Sequence, residues 1–70
     1  MVEVKAELVG SLWKITSEVG QRVEEDDTLM ILESMKMEIP ITAPVAGTVR
    51  EILIREGDVV QEGQTVAILE

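Results

Sequence analysis

Thr28-Leu29-Met30-Ile31-Leu32-Glu33-Ser34-Met35-Lys36-Met37-Glu38-Ile39-Pro40-Ile41-Thr42 contains two apolar runs separated by a short polar centre. Leu29 to Leu32 leads in, and Ile39-Pro40-Ile41 leads out. Two strands joined by a two-residue loop, Met35-Lys36, account for this spacing and put the lysine at the tip of a hairpin. Such loops favour backbone with positive φ, hence Asn-Gly or Asp-Gly, and neither Met nor Lys has that preference. A tip whose residues oppose the local geometry is a place to look for function. Pro40 has no N–H to give a ladder, which confines it to an edge strand or a position facing away from its neighbour.

The rest of the chain is also strands and turns. Val2 to Ala6 alternates apolar and charged residues, Ser11 to Thr16 reads as a second strand after a turn at Gly10, and Val19-Gly20-Gln21 turns the chain again. Beyond the hairpin, Ala43 to Gly47 is a turn-rich connection. Thr48 to Ile54 is a strand in which Val49, Ile52 and Ile54 are not strictly alternate, so a bulge or burial on both faces is expected. The turns Glu56-Gly57-Asp58 and Glu62-Gly63 flank a short apolar pair, Val59-Val60, and Thr65 to Leu69 closes as a strand. No segment has a helical period. Short strands at this spacing define an all-β sandwich or barrel.

The sequence is also duplicated. One constant offset, the one that takes Gly10 to Gly47, lays Ala6–Glu33 on Ala43–Glu70 without a gap, with about ten of twenty-eight positions identical. Ile15 meets Ile52, Gly20 meets Gly57, Val23 meets Val60, and Thr28, Ile31, Leu32 and Glu33 meet Thr65, Ile68, Leu69 and Glu70. Each half is one strand unit whose apolar face is bare when alone, so the simplest closed form pairs the two about a pseudo-two-fold axis. The same offset carries Met35-Lys36 just outside the chain ends, placing hairpin and termini at equivalent, opposed positions. Where the halves differ, Asp26 stands for Gly63, a tolerable change because Asp visits left-handed backbone more readily than most residues. Trp13 falls opposite Arg50, a position not fully closed to solvent.

At 70 residues the chain forms one domain, residues 1–70, with a single modest core. Cysteine is absent, which excludes disulfide and thiol chemistry and, with no charged-then-apolar leader, favours a reducing cytoplasm. No apolar run approaches membrane-spanning length. A formal charge of −8 disfavours nucleic acid and anionic membranes, so protein partners are expected. Without histidine the chain lacks the usual general base and the commonest nitrogen ligand for metals, and it has no phosphate loop or nucleophile elbow. No catalytic residue and no metal site is therefore expected. The acidic run Glu24-Glu25-Asp26-Asp27 lacks the ligand alternation of a calcium loop and reads as a solvated turn.

Lys36 is the residue left to explain. A catalytic amine needs burial or cationic neighbours, whereas the hairpin register places Glu33 opposite Glu38, two carboxylates one step behind the tip. That setting favours the charged ammonium and leaves the amine to be activated by another enzyme. Exposed methionines on both sides are poor for solubility and good for docking on a partner surface.

The string Glu33-Ser34-Met35-Lys36-Met37-Glu38, with Met-Lys-Met between duplicated halves, resembles the attachment motif of the biotin/lipoyl attachment family, in particular its biotin carboxyl carrier domains. TLMILESMKME, APVAGTV and REGDVVQEGQTVAIL extend the resemblance over essentially the whole chain. It implies a flattened β-barrel of two four-stranded antiparallel sheets, with biotin joined to the ε-amine of Lys36 by a biotin protein ligase. Met35 and Met37 match the methionines associated with recognition and function of the modified lysine. The implied role is a swinging arm carrying carboxylate between biotin carboxylase and carboxyltransferase sites, in a protein that is monomeric when free. Ser34 stands where many carriers have alanine. The thumb insertion of some bacterial carriers and an Ala/Pro-rich linker have no counterpart, which fits a free carrier or an excised domain. Two other readings remain open: a lipoyl carrier, although lipoyl domains usually show Asp-Lys-Ala at the turn, and an unmodified docking barrel.

Overall fold

Eight strands and no helix make up the computed structural model, which describes residues 1–70. They are β1 (Val2–Lys5), β2 (Gly10–Ile15), β3 (Arg22–Val23), β4 (Thr28–Ser34), β5 (Met37–Thr42), β6 (Gly47–Ile52), β7 (Val59–Val60) and β8 (Thr65–Leu69). They form two antiparallel four-stranded sheets, ordered β1-β8-β6-β3 and β5-β4-β2-β7. The repeat offset converts one order into the other, strand by strand. Each sheet therefore takes two strands from each half of the chain, and neither half owns a sheet.

The register repeats too. Val2 pairs with Leu69 as Ile39 pairs with Leu32, so the termini and the lysine hairpin occupy equivalent strand ends on different sheets. Gly20 and Gly57, both in left-handed backbone at φ 93° and 96°, donate their N–H groups across to the other half, to Val49 O at 2.7 Å and Leu12 O at 2.8 Å. Asp26 and Gly63 do the same at φ 73° and 83°, donating to Ala43 O and Ala6 O, both at 2.8 Å. Asp26 thus adopts the conformation its glycine counterpart requires.

Side chains close these turns in matched pairs. Gln21 Oε1 accepts from Glu18 N at 3.0 Å where Asp58 Oδ2 accepts from Arg55 N at 3.0 Å. Asp27 Oδ2 accepts from Glu24 N at 2.8 Å where Gln64 Oε1 accepts from Gln61 N at 2.9 Å. Carboxylate and amide have changed places between halves because a turn needs only one side-chain oxygen at that point. The acidic run is accordingly a capped, solvent-exposed turn, and no group of three His, Cys, Asp or Glu side chains is placed to hold a metal.

Between the sheets lies a core of fifteen side chains, also largely in pairs: Leu12 with Val49, Val23 with Val60, Leu29 with Val66, Leu32 with Leu69. Ser17 is the buried polar exception, opposite Ile54, and its hydroxyl donates to Leu29 O at 2.9 Å, which removes the cost of burying it.

Several elements differ from the sequence reading in detail. Gly10 belongs to β2 instead of a turn: it pairs with Val60 of β7, and the close packing described below is what requires glycine there. The strand from Thr48 ends at Ile52, although Ile54 is still buried. The expected bulge lies between Val49 and Glu51, and its equivalent interrupts β2 between Leu12 and Lys14. Arg50 and Trp13 are the bulged residues, which explains why both face outward. Trp13 is 43% exposed, with Lys14 Nζ 5.7 Å from its ring centroid.

Candidate functional site

β4 and β5 pair over six residue pairs, from Thr28–Thr42 to Ser34–Met37, leaving only Met35 and Lys36 to turn the chain. Both adopt left-handed backbone, φ 53° and 65°, as in the turn type whose twist matches a two-residue hairpin. For residues with a β-carbon this costs on the order of 1–2 kcal/mol each. The conformation persists because the long ladder behind it admits no other closure. β5 is an edge strand, which accommodates Pro40 opposite Ile31.

The base of the hairpin is braced from below. Gly10 on β2 approaches so closely that a β-carbon there would stand 2.8 Å from Glu33 O and 3.4 Å from the Ser34 β-carbon. Ser34, half-buried, fits this space because its side chain is small.

The tip itself is open. Met35 is 89% exposed and Met37 59%, and Lys36 is exposed with no ion pair; the chain's one salt bridge, Arg22–Glu24, lies elsewhere. Glu33 and Glu38 are directly opposed, so the base of the hairpin is acidic while its tip presents one cation between two flexible apolar side chains. This set fits a group joined to the ε-amine: the nitrogen is reachable, it has no competing partner, and apolar flanks offer a docking surface. Gly10 and Ser34 support the site yet carry no functional signature in sequence; the matching of Gly10 with Gly47 and of Glu33 with Glu70 in the repeat is the signal that could have singled out the brace.

A small two-sheet barrel that projects a lysine from a strained two-residue tip belongs to a class of modules built to present an amine. The family model described as "Biotin-requiring enzyme" matches residues 2–69. The biotinylated protein TB7.3 homologue of Mycobacterium leprae is 42% identical over 67 residues, spanning 96% of this chain and 94% of that one. The biotin/lipoyl attachment protein of Bacillus subtilis is 44% identical over 63 residues, 90% and 86% of the two chains. Among solved structures, the urea carboxylase of Kluyveromyces lactis contains the same fold at TM-score 0.95 and 36% identity, matching 99% of this chain and 6% of that much longer one. The chain belongs to the biotin/lipoyl attachment family.

Proposed function

We propose that the protein is a biotin carboxyl carrier in which a biotin protein ligase joins biotin to Lys36. The observation that carries this is the exposed Met35-Lys36-Met37 tip: a reachable amine, set between methionines, on a hairpin that holds it clear of the barrel. The chain acts without catalysing. Its residues supply the handle, the rigid ladder that fixes where the handle points, and the apolar flanks on which ligase and carboxylase sites dock. The uptake and release of a carboxylate is chemistry that biotin supplies when bound. Tethering keeps the carried group at high local concentration near the biotin carboxylase and carboxyltransferase sites instead of releasing it. The matched domain within the urea carboxylase supports partners of this kind, and the free protein is proposed to be monomeric.

A lipoyl carrier is the second reading, favoured by one observation: the Bacillus subtilis relative is named for both groups. Intact-mass spectrometry after co-expression with each ligase separates them. A biotin-sized increment, lost in Lys36→Ala while the fold persists, is expected. A lipoyl-sized increment alone supports the second reading, and none with either ligase leaves an unmodified docking barrel.

A further inference from the structure

Along the inner side of the edge strand β5 runs a cleft of about 90 Å³. Leu32 and Ile41, both buried, form its floor, half-buried Leu8 and Ile39 its walls, and exposed Lys5 and Glu7 its rim. At about 30 Å³ of liquid per water this is room for roughly three waters, so a small fused-ring head group would insert one ring and leave the other at the open rim.

Its position matches the reach of the attachment lysine. Ile39 is the third residue after Lys36, about 10 Å down β5 at the usual strand rise. The lysine side chain together with the pentanoyl chain of biotin has about eleven bonds in line, somewhat more than three extended residues, with a reach of roughly 13 Å. The chemistry matches as well. The biotin head group joins an apolar thioether ring to a cyclic urea with two N–H donors and one carbonyl acceptor. The cleft offers an aliphatic floor, a carboxylate on Glu7 and an ammonium on Lys5, neither of which is engaged in a side-chain hydrogen bond or ion pair within the chain.

The duplication supplies an internal comparison. At the terminal end of the barrel, Pro44 stands for Glu7, Val45 for Leu8 and Val2 for Ile39, and no apolar cleft forms. The other depression in the molecule is polar, bordered by Glu3, Glu7, Asp26 and Pro44. The cleft walled by Leu8 and Ile39 belongs to the half-barrel edge that carries Lys36.

We infer that this cleft is a resting seat for the head group on Lys36, with the urea against Lys5 and Glu7 and the thioether ring against Leu8 and Ile39. The inference rests on the reading of Lys36 as a biotinylation site. The seat can be weak: a short flexible tether gives an effective concentration in the millimolar range, so millimolar affinity half-fills it. The loaded carrier then alternates between a seated and a free arm, and partner sites draw on the free one.

The experiment compares isotope-labelled protein before and after biotinylation by NMR, with intact mass measured on the same sample. The mass must rise by one biotin; no increment overturns the attachment reading, and the seat with it. Given the increment, the expected result is chemical-shift change at Leu8, Ile39 and Ile41 methyls and at Lys5 and Glu7 amides, with nuclear Overhauser contacts from ring protons to Leu8. Changes confined to residues 34–38 overturn the seat and leave attachment intact. Leu8→Trp, which fills the cleft, should still accept biotin but lose the response at Ile39. If that variant does not fold, Glu7→Ala, at an exposed position, should halve the response or more; an unchanged response in Glu7→Ala overturns the assigned polar contact.

Discussion

Gly10 lies against Glu33 so tightly that a β-carbon on Gly10 would stand 2.8 Å from the Glu33 carbonyl oxygen, and thirty-odd residues on Gly47 repeats the contact with Glu70 at 2.7 Å. The obstruction is backbone in both cases, so it cannot swing aside. Gly10→Ala and Gly47→Ala should each lose about 1–3 kcal/mol, a fall in Tm of several degrees in thermal melts. Only Gly10 sits under the hairpin. Its substitution should therefore also slow Lys36 modification in a ligase assay, whereas Gly47→Ala, measured below its Tm, should load at the parent rate.

The turn conformation sets a conflict between stability and attachment. Replacing Met35-Lys36 by Asn-Gly gives the hairpin residues suited to positive φ. It should raise stability by about 1 kcal/mol, read as a higher midpoint in urea, while abolishing the mass increment. A variant no more stable than the parent would show that the tip is not strained.

Asp26 and Gly63 hold equivalent left-handed positions, and Gly63 has nothing within 4 Å of where its β-carbon would be. Any cost of a side chain there is conformational alone. Gly63→Val should cost about 1–2 kcal/mol and Gly63→Asp less, while Asp26→Gly should be close to neutral. Chemical denaturation of the three variants checks the ranking.

Methionine oxidation should divide the chain by exposure. Met30 is fully buried, while Met35, Met37 and the terminal Met1 are open, so mild peroxide should convert these three to sulfoxides before Met30, as peptide mapping will report. Polar sulfoxides in place of apolar flanks should slow ligase loading without lowering Tm. A Met35→Leu, Met37→Leu variant should resist that inhibition.

Much of this was legible from residues 28–42, because strand pattern and loop length there leave one solution. The bulge at Arg50 follows from the irregular spacing of Val49, Ile52 and Ile54. Its partner at Trp13 is hidden by two consecutive large apolar residues, Leu12 and Trp13, that mimic a continuous strand. β3 and β7 have two residues each, too few for any periodicity, and are marked only by the matching of Val23 with Val60. The exchange of strands between sheets leaves no local trace, since it is a property of pairings far apart in sequence. For the same reason the lysine tip could be read from one segment, whereas the cleft beside it, assembled from the β1–β2 connection and β5, could not.

The interleaving of the two halves has a final consequence. Two equivalent strand ends exist, one on each sheet: the two-residue loop closes one of them, and at the other Val2 and Leu69 are paired across separate strands. Lys36 sits on the seam where the halves are stitched together. A pair of separate half-chains would have no such tip; joining them creates it, and the exposed lysine stands at the junction of the two halves.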